Sequence, residues 1–182
     1  RKEISSKSAQ LCDGRGVLRT YLAIGNPFFT KDGHPVYFRL VDNNDSELIY
    51  MWQIHPDTRR YASDQSDITR EQHENWMKKT TSNPDIYFLM IICNGNPSGT
   101  IRLDKTEIEN VIEISIYVSP DMYRLGVGKT ALSLLLETFS TITFGAKVLP
   151  ENIASTKLFK NMGFKKVKDN YYMNIPAFNN LH

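Results

Sequence analysis

Two cysteines, Cys12 and Cys93, are too few for a disulfide framework, and a chain of 182 residues so poor in thiols is expected in a reducing cytoplasm. Its four histidines lack ligand spacing, so no metal site is expected. Long apolar runs are missing too. The stretch 87–93 is strand-length, far short of the roughly 20 residues of a membrane span. A polar start, Arg1-Lys2-Glu3-Ile4-Ser5-Ser6, offers no signal peptide, and Arg rather than Met at position 1 reads as a piece of a longer chain. With a formal net charge of only +2, nothing points to a nucleic-acid or membrane partner. What the chain does have, 41% hydrophobic and 11% aromatic residues, suffices for a core without staples.

Glycine and proline concentrate in residues 1–35, at Asp13-Gly14-Arg15-Gly16, Gly25-Asn26-Pro27 and Lys31-Asp32-Gly33-His34-Pro35. That density marks turns, and we read 1–35 as an arm or linker with a short helix over 17–24, and 36–182 as the main domain. An extension packed on that domain is the alternative. From Val36 the pattern is regular: a strand at 36–41, caps at Asn43-Asn44-Asp45 and a helix to Gln53. Asp42-x-Asn44-x-Ser46 has calcium-loop spacing, but Glu47 stands where the turn needs Gly, so capping is the reading. Thr69-Arg70-Glu71-Gln72 is a capping box opening a helix to Lys79. Strands at 86–93 and 98–103 flank Asn94-Gly95, a tight hairpin turn. A strand at 111–118, a helix at 127–139, a strand at 142–149, a helix at 152–162 and a hairpin at 164–175 follow. This order predicts an α/β fold, a mixed sheet with helices on both faces.

Chemistry concentrates in two segments. In the first, the strand Ile114-Ser115-Ile116-Tyr117-Val118 leads through Ser119-Pro120 into Tyr123-Arg124-Leu125-Gly126-Val127-Gly128-Lys129 and a helix. Glycines there let a ligand approach the backbone, and first-turn amides with the helix dipole make an anion site. An ordinary strand-to-helix turn is the plain alternative. Gly126-Val127-Gly128-Lys129-Thr130 ends like a nucleotide-binding P-loop, but Tyr123 occupies its first glycine position, which argues against a triphosphatase. The second segment is Glu151-Asn152-Ile153-Ala154-Ser155 with Asn161-Met162-Gly163-Phe164.

Together these segments resemble the GNAT family of acetyl-CoA-dependent N-acetyltransferases, over residues 36–175. In that family a strand is followed by Gln/Arg-x-x-Gly-x-Gly/Ala, whose backbone holds the coenzyme A pyrophosphate. A later strand leads into Asn-x-x-Ala/Ser and a helix ending in Gly-Phe. The resemblance implies a central, mostly antiparallel sheet, acetyl-CoA as co-substrate, and coenzyme contacts from Ile116, Tyr117, Val118, Arg124, Leu125, Gly126, Val127, Gly128, Lys129, Asn152 and Phe159. Trp52 to Arg60, Ile68 to Trp76, Gly99 to Asp104 and Glu113 to Ile116 look like the branch that acetylates the 4-amino group of UDP-linked amino sugars in pseudaminic acid biosynthesis. The segment Leu11 to Arg19 is similar to the end of that pathway's sugar-nucleotide hydrolase, so a fusion of hydrolase and transferase is expected, with 1–35 as the remnant of the hydrolase.

Acetyl transfer to an amine needs a base and a proton for the leaving thiolate. Alternation along the strand sets Ile112, Ile114 and Ile116 on one face and Glu113, Ser115 and Tyr117 on the other. A Glu in so apolar a strand is costly unless it works or is paired. The expectation is a general base, acting directly or through water, with a structural ion pair as the alternative. Where the family carries a Tyr to protonate the thiolate, this chain has Phe159, and Ser155, matching a Ser of the ribosomal-protein branch, is the candidate replacement. A plain helix-start role for Ser155 is the other reading. His73 and Trp76, three apart on one helix, are candidate acceptor contacts, against a core role. The resulting expectation is direct transfer in a ternary complex to a small nucleotide sugar. A ribosomal-type protein or peptide acetyltransferase and a non-catalytic coenzyme A binder are the rivals, and a homodimer is left open.

Overall fold

A computed structural model describes residues 27–62, 64–108 and 110–176. The proposed arm up to residue 26, its short helix and its hydrolase-like segment lie outside the described residues. The arm's end joins the domain: β1 (Phe28–Phe29) pairs with β2 (Pro35–Leu40), so the boundary read at 35/36 falls inside a hairpin.

β2 leads through a 3-10 turn, Asn43–Asp45, into α1 (Ser46–Ile54). Asp42, rather than Asn43, is the cap: its carboxylate accepts from the Asn44 amide, and Asp45 answers by accepting from the Asp42 amide at 2.9 Å. Arg39 clamps Asp45 with both terminal nitrogens at 2.6 Å, fixing the turn out of β2. The one carboxylate of the calcium-like spacing, Asp42, is thus consumed by capping. A four-residue helix, α2 (Pro56–Arg59), follows with Pro at its first position and the His55 ring accepting from the Asp57 amide. α3 (Arg70–Ser82) starts at the Thr69–Gln72 capping box, with both reciprocal bonds formed.

The rest of the sheet is β3 (Ile86–Cys93), β4 (Asn96–Lys105), β5 (Val111–Val118), β6 (Thr143–Lys147), β7 (Lys165–Lys168) and β8 (Tyr171–Asn174). Asn94 and Gly95 both take positive φ in the two-residue turn between β3 and β4, which matches the strand twist. Eight strands lie in the order β1-β2-β3-β4-β5-β6-β8-β7, all antiparallel except β5 and β6, which run parallel across α4 (Val127–Thr138). α5 (Ile153–Asn161) joins β6 to the closing hairpin. Lys165, Lys166 and Lys168 charge the β7 edge, which protects it from pairing with another chain.

Strand β3 is apolar nearly throughout because both of its faces are covered. Leu89, Ile91 and Cys93 join Ile101, Ile114, Leu132, Leu135, Phe144 and Phe159 in a core beneath α4 and α5. Phe88, Met90 and Ile92 point the other way, into a second core with Ile49, Trp52 and Met77 from α1 and α3. The fold is the mixed, mostly antiparallel sheet with helices on both faces that the sequence implied. Among the described residues, no helix is long and apolar enough to cross a membrane.

Candidate active site

The site grows from a fork in the sheet. β5 has eight residues, yet β6 pairs with only its first three: Val111, Ile112 and Glu113 lie opposite Thr143, Phe144 and Gly145. Past Glu113 the strands part, and residues 114–118 have β4 on one side and no strand on the other. A cleft of about 990 Å³ opens there, walled by residues 113–118, by 147–149 and by the start of α5. The exposed strand edge offers amide and carbonyl groups in a row, suited to an extended, amide-bearing ligand.

At the cleft's end the chain turns through Tyr123 and Arg124 into α4. Arg124 (φ +66°) and Gly126 (φ +77°) are both left-handed, and Gly126 is the helix cap without any capping side chain. The first bond of α4 runs from the Thr130 amide to the Gly126 carbonyl, which leaves the Val127, Gly128 and Lys129 amides without a helical acceptor. A Cβ on Gly128 would press to 3.2 Å from Val118 Cγ2, so the loop packs closely against the strand there. Arg124 and Lys129 add positive charge to these amides at the cleft wall, and the whole suits a phosphate or pyrophosphate.

Most residues singled out from the sequence converge on this cleft. Glu113, Ile116, Tyr117, Val118, Arg124, Gly126, Val127, Gly128, Lys129, Asn152, Ser155, Phe159 and Trp76 all line it. Ile116 and Val118 pack toward the α4 core and Tyr117 toward the α1–α3 core, the alternation expected for β5. Asn152 caps α5, accepting from the Ser155 amide at 2.9 Å, while the Ser155 hydroxyl has no hydrogen bond among the described residues. Phe159 stacks edge-on against Phe164 at 4.9 Å and offers no proton. Leu125 does not line the cleft, and its side chain is half exposed.

His73 is the correction. It is 2% exposed and lies under α1, with Nε2 2.8 Å from the Ser46 carbonyl and Nδ1 2.8 Å from the Gln53 side-chain amide. Gln53 lines the cleft and His73 stands behind it, held there because its side of α3 packs on α1. Burial pushes its basicity below the ordinary value near 6.5. The unfolded chain then takes up a proton that the folded ring refuses. Stability should be full above about pH 6.5 and drain away as pH falls below it. Melting temperature followed from about pH 7.5 to about pH 5 should fall more steeply for the parent than for His73→Gln. Equal slopes would show that His73 does not control the acid limb.

Several groups in the cleft escaped the sequence reading. α2 brings Asp57, Arg59 and Arg60 to its rim, and β6 brings Lys147. Arg102, opposite Ser115 on β4, gives its Nε to Asp104 at 2.9 Å and lies over the Trp76 ring, leaving its terminal nitrogens without a side-chain partner among the described residues. Its two-residue spacing from Asp104 was a readable signal of a shared face. The Tyr117 hydroxyl is buried, and among the described residues it has no well-formed hydrogen bond, with Thr100 the residue directly opposite on β4. Burial pushes this phenol upward, so it stays a proton-bearing donor.

A sequence model of the family described as "Acetyltransferase (GNAT) domain" matches residues 36–165. The chain belongs to the GNAT acetyltransferase family. An uncharacterized protein of Methanocaldococcus jannaschii is 26% identical over 91% of this chain, which spans only 36% of that relative's length. A crystallised domain from the same organism superposes with a TM-score of 0.67 at 24% identity, covering 77% of this chain and 96% of the domain. An aminoglycoside acetyltransferase in complex with coenzyme A reaches the same TM-score at 16% identity, covering 80% of this chain and 98% of the other. These likenesses show the shared fold. Among the described residues no group of three or more His, Cys, Asp or Glu is placed to hold a metal ion.

Proposed function

We propose that this GNAT domain transfers acetyl from acetyl-CoA to the 4-amino group of a UDP-linked amino-deoxy sugar, by direct attack in a ternary complex. The observation that carries the acceptor assignment is the charge of the cleft. Apart from Arg124 and Lys129 at the pyrophosphate loop, the cleft lining among the described residues holds Arg59, Arg60, Arg102 and Lys147 against Asp57 and Glu113. A polycation such as an aminoglycoside or polyamine needs the opposite balance, whereas a nucleoside diphosphate needs this one. Trp76 with Arg102 over its ring offers an aromatic and cationic surface for the nucleotide, and the buried Tyr117 hydroxyl a donor for the sugar.

The free loop amides of Val127, Gly128 and Lys129 receive the coenzyme pyrophosphate, and the open edge of β5 at residues 114–118 receives its amide-bearing arm. Glu113 takes the amine proton, directly or through water, as the C–N bond forms and the C–S bond breaks. Ser155 donates a proton to the departing thiolate and regains one from solvent, since Phe159 has none to give.

UDP alone should bind in calorimetry, and Arg102→Gln should weaken it by roughly tenfold, the worth of one charge-assisted contact. Spermidine should not bind. Spermidine binding without UDP binding would overturn the acceptor assignment.

A further inference from the structure

One side chain outside the cleft lining bears on Glu113. Gly145 is the direct parallel neighbour of Glu113 across the last rung before the fork, so both present the same sheet face. Gly145 has no side chain, and the Tyr171 phenol fills that space: a Cβ built there would lie 2.0 Å from the Tyr171 hydroxyl and 2.6 Å from its ring carbon Cζ. Tyr171 arrives from β8, opposite Lys147. Its hydroxyl therefore rests on the rung that carries Glu113. On the other flank, Asp104 faces Glu113 from β4, but Arg102 occupies that carboxylate at 2.9 Å. Glu113 thus has a neutralised acid on one side and a phenol on the other.

We propose that Tyr171 is a positioning residue for Glu113: laid over the bare backbone of Gly145, its hydroxyl donates a hydrogen bond to the Glu113 carboxylate and holds it toward the fork. This rests on Glu113 being the base. Burial first, and the neighbouring carboxylate second, push the Tyr171 phenol upward, in keeping with a hydroxyl that keeps its proton beside an anion. A carboxylate at a fork edge has free rotamers, and one held in place has its lone pair aimed before substrate arrives. Gly145 is required because any side chain there would displace the phenol.

The test is a double-mutant cycle on the whole chain, with acetyl-CoA and the best acceptor amine. Tyr171→Phe keeps the ring over Gly145 and removes only the donor. It should lower kcat on the order of ten- to hundredfold with the Michaelis constant for acetyl-CoA unchanged. In a Glu113→Gln background the same change should cost little, because nothing remains to be positioned. Gly145→Ala, if folded, should reproduce the kcat loss by moving the ring. If Glu113→Gln is crippled while Tyr171→Phe is inert, or costs the same in both backgrounds, the positioning role falls and the base survives. If Glu113→Gln is itself inert, the base assignment falls and takes the positioning role with it.

Discussion

Replacing Glu113 by Gln is expected to lower turnover by roughly a hundredfold to ten-thousandfold, the usual contribution of a general base, with acetyl-CoA affinity nearly unchanged. Gln keeps the shape and hydrogen-bonding capacity of Glu and removes only the proton acceptor. Glu113 stands at the last paired rung of β5 and β6, where the cleft begins, and lines it. A protonated amine cannot attack a thioester, so the deficit should be larger at about pH 7, where free amine is scarce, than at about pH 9. A sugar amine is less basic than a lysine, which moves the loss toward the lower end. Profiles of the two proteins that run parallel and differ by less than about threefold would make Glu113 structural.

The other large effect is expected at the loop. Gly126 caps α4 at φ +77°, where a β-branched residue is strained by about 1–2 kcal/mol. Gly126 lines the cleft, so a Val there would distort the loop that presents the first-turn amides. Gly126→Val should therefore raise the Michaelis constant for acetyl-CoA by roughly tenfold to a hundredfold, the loss of one or two charge-assisted bonds, and lower turnover far less. Circular dichroism would establish that the variant is folded. An unchanged constant in a folded variant would place the pyrophosphate elsewhere.

What was legible in the sequence came from short-range rules. Period two along β5 separated Glu113, Ser115 and Tyr117 from the isoleucines, and the structure sends Ile112, Ile114 and Ile116 to the core under α4 and Tyr117 to the other, with Glu113 and Ser115 at the cleft. Thr69 with Gln72 and Asn94 with Gly95 each announced a local hydrogen-bonding or φ requirement, and each is met. The rest depended on distant contacts. His73 follows the same helical spacing as Trp76, yet it sinks under α1 because Ser46 and Gln53, more than twenty and exactly that many residues away respectively, close over it. Nothing near residue 57 says that a four-residue helix will carry arginines into the cleft. The contact between Tyr171 and Gly145 requires knowing that β8 inserts beside β6, ahead of β7 in the sheet order. That placement is a property of topology alone.

Release of coenzyme A thiol, followed with acetyl-CoA and a panel of amines, tests the central claim most directly. UDP-linked 4-amino sugars should drive release, and the same reactions should yield the acetamido sugar. Polyamines, aminoglycosides and peptides with free N-termini should give no more release than water. Release driven by peptides or polyamines, with the nucleotide sugars inert, would contradict the account.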